Sequence, residues 1–188
     1  MNAATVRAGE KSGLAGTRWL ADHLGAKWLR IVDVRGPGLR DERSGPRLRV
    51  DDDPPRFVEL GPRAGWQRLG SWPKTSGPPT SFLAGHIPGS ASLDVGRRLF
   101  DESGVFVSAL ELAMVMSEIG VGDEHTVVLV DDGRPSAALV AAWALRRHGH
   151  ADTLILGGGF PRWTSEGRPV TRDIVKHAYA SFTARIPS

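Results

Sequence analysis

The chain has 188 residues, the size of one domain or of one domain with appendages. With 40% hydrophobic and 24% charged residues it can bury a core, and with no cysteine it has no disulfide, no thiolate metal site and no cysteine nucleophile. The net charge of +3, from 24 basic and 21 acidic residues, is a weak field; no stretch clusters cations with aromatics as a nucleic-acid face would.

Met1 to Gly13 holds no apolar stretch of the signal-peptide kind. Residues 1–16 are expected to be a flexible N-terminus. Thr17 is placed to cap a helix that runs to about Gly25, with Trp19, Leu20 and Leu24 on one face. Trp28 to Val34 reads as a strand that ends in Arg35-Gly36. The composition then changes. Residues 36–79 are dense in Gly, Pro and Arg and show no period of 2 or 3.6, which predicts a long surface insertion, partly disordered. Trp66, Leu69 and Trp72 are its candidate anchors.

Order resumes near Ser81. His86-Ile87-Pro88-Gly89 reads as a turn and Ala91 to Val95 as a short strand. Ser108-Ala109-Leu110-Glu111 has the spacing of a capping box. It opens a helix with Leu112, Val115, Met116 and Ile119 on its apolar face, stopped by Gly120 and Gly122. Thr126 to Val130 is an unbroken apolar run, as expected of a central parallel strand covered on both faces. A loop from Asp131 to Ser136 leads into a helix over Ala137 to Arg147. That helix contains the longest apolar run, nine residues from Ala137 to Leu145, far short of the roughly 20 that cross a bilayer. Thr153 to Leu156 is another strand, Gly157 to Gly159 follow, and Phe160 to Glu166 is a short helical turn. Strands alternating with helices predict a parallel α/β sheet.

In such sheets ligands sit beyond the carboxyl ends of the strands. The candidate site is therefore the loop Asp131-Asp132-Gly133-Arg134-Pro135-Ser136, whose amides and following helix N-terminus form an anion cradle. A plain strand-to-helix connection accounts for the same residues, and both readings stay open. Asp33 and Arg35 suggest an ion pair at a strand end, and no histidine has metal-ligand spacing to acidic residues, so neither metal nor cofactor is expected.

The segments Ile31 to Arg35, Gly85 to Ser90, Val127 to His150, Leu156 to Trp163 and Glu166 to Val170 together resemble the rhodanese-like domain of sulfurtransferases. The resemblance covers roughly residues 17–35 and 80–170. It implies a three-layer sandwich, a central parallel sheet flanked by helices, with a domain over residues 17–170 interrupted by the insertion and a linker-like tail over 171–188. In active members a cysteine heads the loop after the central strand; its thiolate accepts a sulfane sulfur, and the loop amides stabilise the persulfide. The matching position here is Asp131. A carboxylate cannot hold a persulfide, so the resemblance implies no sulfur transfer by this chain alone. An aspartyl-phosphate chemistry would need a second Asp at position 133, where Gly133 stands.

The chain most resembles the N-terminal, cysteine-free domain of tandem thiosulfate and 3-mercaptopyruvate sulfurtransferases. That likeness implies a structural or regulatory role beside a second rhodanese-like domain or a sulfurtransferase partner. The lack of a signal-like or membrane-length apolar stretch and the weak charge make a cytoplasmic protein the expectation, with neither nucleic acid nor membrane as partner. His86, with Arg35, would then belong to a composite site; a purely structural role in the turn is the other reading. Two further readings remain open. One is a module that binds a small anion or a protein through the 131–136 loop or the Arg-rich insertion. The other is a degenerate chain under relaxed constraint.

Overall fold

Short segments, three of them rich in valine, isoleucine or leucine, form the strands at the centre of the molecule. In the computed structural model these are β1 (Leu14–Ala15), β2 (Leu29–Asp33), β3 (Ala91–Ser92), β4 (Thr126–Val130) and β5 (Thr153–Leu156). Residues 13–36, 79–101, 105–133 and 136–186 are described by the structure. The expectations for residues 1–12, for the insertion between 37 and 78, and for Trp66, Leu69 and Trp72 lie outside them.

The strands make one sheet in the order β1-β5-β4-β2-β3, and every pairing is parallel. β4 lies at the centre, with Ile31 opposite Val128 on one side and Val128 opposite Leu154 on the other. Side chains alternate between two faces. Val127 and Leu129 join one buried cluster with Val32 and Ile155, whereas Val128 and Val130 join the other with Ile31 and Leu156. All four β4 side chains from Val127 to Val130 are inaccessible to solvent. The apolar run thus serves both faces, as its composition predicts.

Helices cover each face. On the first lie α3 (Val95–Arg98), α4 (Ala109–Glu118) and α5 (Ser136–Arg147), through Val95, Leu112, Met116, Leu139 and Leu145. On the second lie α1 (Thr17–Asp22) and α6 (Gly159–Ser165), through Leu20 and Trp163. A short helix, α2 (Thr80–Ala84), precedes the turn at His86. The fold is the three-layer parallel α/β arrangement expected from the sequence.

Local differences have local causes. Thr17 is the first helical residue of α1 and not its cap; Gly16 takes that place. The Thr17 hydroxyl is spent on Glu166 Oε2, at 2.6 Å, which ties α1 to the end of α6. Leu14 and Ala15, assigned to the N-terminal segment, pair with Ile155 and Leu156 as an edge strand. The strand expected over Ala91 to Val95 stops at Ser92, because Asp94 accepts the Arg97 N–H and starts α3 at Val95. The capping box of α4 forms as its spacing predicts. Ser108 Oγ accepts the Glu111 N–H, and Glu111 Oε2 accepts the Ser108 N–H. Gly120 ends the helix with φ of +78°.

The Glu-Gly-Arg-Pro-Val stretch is a structural knot. Glu166 accepts from Thr17, Arg162 and Arg168, and these donors hold its carboxyl at about 2. Trp163 Nε1–H donates to the Pro169 carbonyl at 2.8 Å. The chain from Thr171 then runs without helix or named strand along the body of the domain. It forms a bridge with His86 at Thr171 and reaches Arg185, whose N–H donates to the His148 carbonyl at 2.8 Å.

Candidate functional site at the carboxyl ends of the strands

The parallel sheet brings the ends of β2, β4 and β5 to one edge, so Asp33, Arg35, Asp131 and Gly157 to Gly159 gather there. Asp131 follows the last residue of β4 and is 4% exposed. Its side chain turns back on its own loop: Oδ1 accepts the Gly133 N–H at 2.8 Å. Its carbonyl accepts the Phe160 N–H at 2.8 Å, which joins the loop to the start of α6.

Gly159 explains how the two segments come so close. Its φ is +59°, and a Cβ there would strike Asp131 Oδ1, the Asp131 carbonyl and the Gly133 amide. A positive φ or a close backbone approach is what the glycine triplet suggests. Gly158 and Gly159 have the positive φ, and Gly159 alone supports the loop. The sequence does not connect this glycine to Asp131, because a helix and a strand lie between them.

Burial dominates the electrostatics of Asp131. It raises the carboxyl from its ordinary range to about 6. The Gly133 N–H opposes the rise, and the charges of Asp132 and Asp33 add to it. The group therefore changes charge near neutral pH. Its Oδ1 takes up the Gly133 amide of its own loop.

Arg35 braces the same edge. Its guanidinium pairs with Asp33, Nη2 to Oδ2 at 2.7 Å and Nε to Oδ1 at 3.0 Å. Both side chains are nearly buried, at 8% and 1% exposure. Nη2 also donates to the Gly85 carbonyl at 2.7 Å, and Cζ lies 3.6 Å from the centre of the Phe160 ring. One side chain thus joins β2, the turn at Gly85 and the segment that touches Asp131.

His86 stands apart from solvent. It is fully buried and stacked on Phe82, with centroids 3.8 Å apart. Nδ1 lies 2.8 Å from the Phe82 carbonyl and Nε2 3.2 Å from the Asp173 carbonyl. Asp132 and Gly133 are exposed at the mouth of the loop. Arg134 and Pro135 lie outside the described residues, and Ser136 begins α5. Among the described residues no group of acidic and histidine side chains could hold a metal, and no helix is long and apolar enough to cross a membrane.

Comparison with known proteins agrees with this fold. Residues 75–166 match the rhodanese-like domain. The sulfur carrier protein TtuD of Thermus thermophilus is 36% identical over 94 residues, which are 50% of this chain and 33% of that protein. A Mycolicibacterium smegmatis protein provisionally named a thiosulfate sulfurtransferase is 31% identical over 109 residues, 57% of this chain and 39% of that protein. The matched stretch spans well under half the length of either relative. Among solved structures, SseA from Escherichia coli, described as having the rhodanese fold of 3-mercaptopyruvate sulfotransferases, superimposes with a TM-score of 0.64. At 23% identity the match covers 92% of this chain and 55% of that one, and it shows a shared fold.

Proposed function

We propose that this chain, which carries a rhodanese-like domain, is a non-catalytic member of the sulfurtransferase family that serves as the structural or regulatory half of a sulfurtransferase. One observation carries the reading. The residue at the head of the loop after the central strand is Asp131, and its carboxyl occupies the loop by accepting the Gly133 N–H. Sulfur transfer in this family needs a thiolate there, and the chain has no cysteine to supply one.

The partner in this reading is a second rhodanese-like domain that brings the thiol, encoded on the same or another chain. The 55% coverage of SseA is in keeping with it, since the rest of that chain lies outside the match. An anion-binding module is less favoured, because an anion at the Gly133 amide would have to displace the Asp131 carboxyl. The same reading places the protein in the cytoplasm, where cell fractionation should recover it away from membranes.

The test is thiocyanate formation from thiosulfate and cyanide. The purified chain should give none above a heat-killed control; measurable turnover would refute the proposal. The Asp131→Cys variant sharpens it. Its thiolate would attack the sulfane sulfur of thiosulfate, forming a persulfide and releasing sulfite. Sulfite release by the variant would mark the loop as a frame that lacks only the thiol, and slow ordinary thiol alkylation would mark it as collapsed.

A further inference from the structure

The far edge of the sheet, at the amino-terminal ends of β4 and β5, is crossed by residues 177–185. Three backbone-to-backbone hydrogen bonds and one from a backbone amide to a carboxylate hold this segment. Ala180 N–H donates to the Ser117 carbonyl at 3.1 Å, and the Ser181 carbonyl accepts the Asp123 N–H at 2.9 Å. Thr183 N–H donates to Asp123 Oδ1, and Arg185 N–H to the His148 carbonyl, both at 2.8 Å. Phe182 is its apolar anchor, 6% exposed and stacked on the His150 ring with centroids 5.4 Å apart.

Three histidines lie at this crossing, and the surroundings of His150 and His125 suit the neutral ring. His150 is 6% exposed. Its Nδ1 lies 3.2 Å from Thr153 Oγ1, whose hydroxyl donates to the His150 carbonyl, so Nδ1 carries the proton. Its Nε2 is buried without a hydrogen-bond partner, and a proton added there would make a buried cation beside Phe182 that the Gly122 carbonyl offsets only in part. His125 is 4% exposed, and its Nδ1 accepts the Gly122 N–H at 2.8 Å. A proton on that nitrogen would break the bond. Its Nε2 faces the Arg30 guanidinium at 2.9 Å, a neighbour that opposes positive charge, while Glu124 Oε1 lies farther off, at 3.4 Å. His177, on the crossing segment itself, donates from Nε2 to the Gly89 carbonyl at 2.9 Å.

We propose that residues 177–185 form an acid-released strap, docked while His125, His150 and His177 are neutral and freed when these rings take up protons. Burial lowers the pKa of all three. Around His150 the Gly122 carbonyl, Asp152 and Asp123 pull the other way and are outweighed. Around His125, Arg30 reinforces burial against Glu124, and the other two histidines add repulsion. Around His177, Arg30 reinforces burial against the Gly89 carbonyl. The released strap therefore binds more protons than the docked one below the ordinary histidine value of about 6.5. Docking is complete above that value and is lost as the pH falls, by up to about tenfold per pH unit for each histidine that charges. Nothing in this inference depends on the sulfurtransferase reading.

Amide hydrogen exchange on the full chain tests it, read at Ala180, Thr183 and Arg185 and compared with Val128 and Leu129 in β4. Between about pH 7.5 and about pH 5.5, with intrinsic rates divided out, strap protection should fall at least about tenfold while β4 protection holds. His177→Gln keeps a donor for the Gly89 carbonyl and should shrink the fall. His150→Phe keeps a ring against Phe182, and with His177→Gln should remove most of it. Unchanged strap protection in the wild type, an equal loss in β4, or a full loss in the double variant would overturn the proposal. Should the double variant fail to fold, an undiminished fall in His177→Gln overturns it on its own.

Discussion

The two ends of β4 hold titratable groups of opposite sign. At the carboxyl end Asp131 is buried, and burial favours its protonated, neutral form. At the amino end His125 is buried, with His150 and His177 nearby, and burial favours their deprotonated, neutral forms. The same cost, the removal of charge from water, thus makes one end prefer acid and the other prefer base. A fall in pH through the neutral range relaxes the loop edge and loads the strap edge. The ends also differ in bracing. The loop edge has a buried ion pair between Asp33 and Arg35, whereas the strap is held by three backbone-to-backbone hydrogen bonds, the Thr183 amide on Asp123, His177 on the Gly89 carbonyl and one phenyl ring.

Removing the brace should have the largest effect. Arg35→Ala leaves Asp33 as an uncompensated buried charge and strips the guanidinium from Phe160 and the Gly85 carbonyl. The expected cost is about 3–5 kcal/mol in urea denaturation. A loss below about 1 kcal/mol would mean the pair is not what holds this edge.

Asp131→Asn comes next, and its effect depends on pH. The wild-type carboxyl rises from 3.8 in the unfolded chain to about 6 in the fold, so the folded state binds more protons between those values. That preference is lost as pH rises through about 6, which leaves the ionised group unfavourable above it. Asn retains an oxygen for the Gly133 N–H without the charge. The variant should gain about 2–3 kcal/mol over wild type at about pH 8 and nothing at about pH 3. An advantage that does not change with pH would contradict the buried charge.

The smallest effect should come from the same substitution at the other end. Asp123 is exposed, and the Thr183 amide that it accepts favours its ionised form. Asp123→Asn should cost less than about 1 kcal/mol at neutral pH, the reverse in sign of Asp131→Asn. A gain at position 123 would erase the contrast between the two ends.

Much of the fold is legible in the residues. Apolar Thr126 to Val130 requires cover on both faces, and Ser108 with Glu111 announces the start of α4, because both signals act within a few residues. Asp94, as a cap, cuts short the strand expected over Ala91 to Val95, and β3 pairs along two residues only. The candidate loop is legible as a place, since a strand-to-helix turn at the carboxyl edge is where ligands bind. Its occupancy is not, because Gly159 meets Asp131 across an intervening helix and strand.

By itself the sequence decides the chemistry that is available: no thiol anywhere, an aspartate after the central strand, and a parallel α/β frame set by local periodicity. Only the tertiary structure decides the charge each group prefers. Burial of Asp131, the Arg35 bond to the Gly85 carbonyl, and the stacking of His150 on Phe182 all depend on contacts between distant segments. Desolvation is a property of what surrounds a side chain in space, and chain order does not specify it.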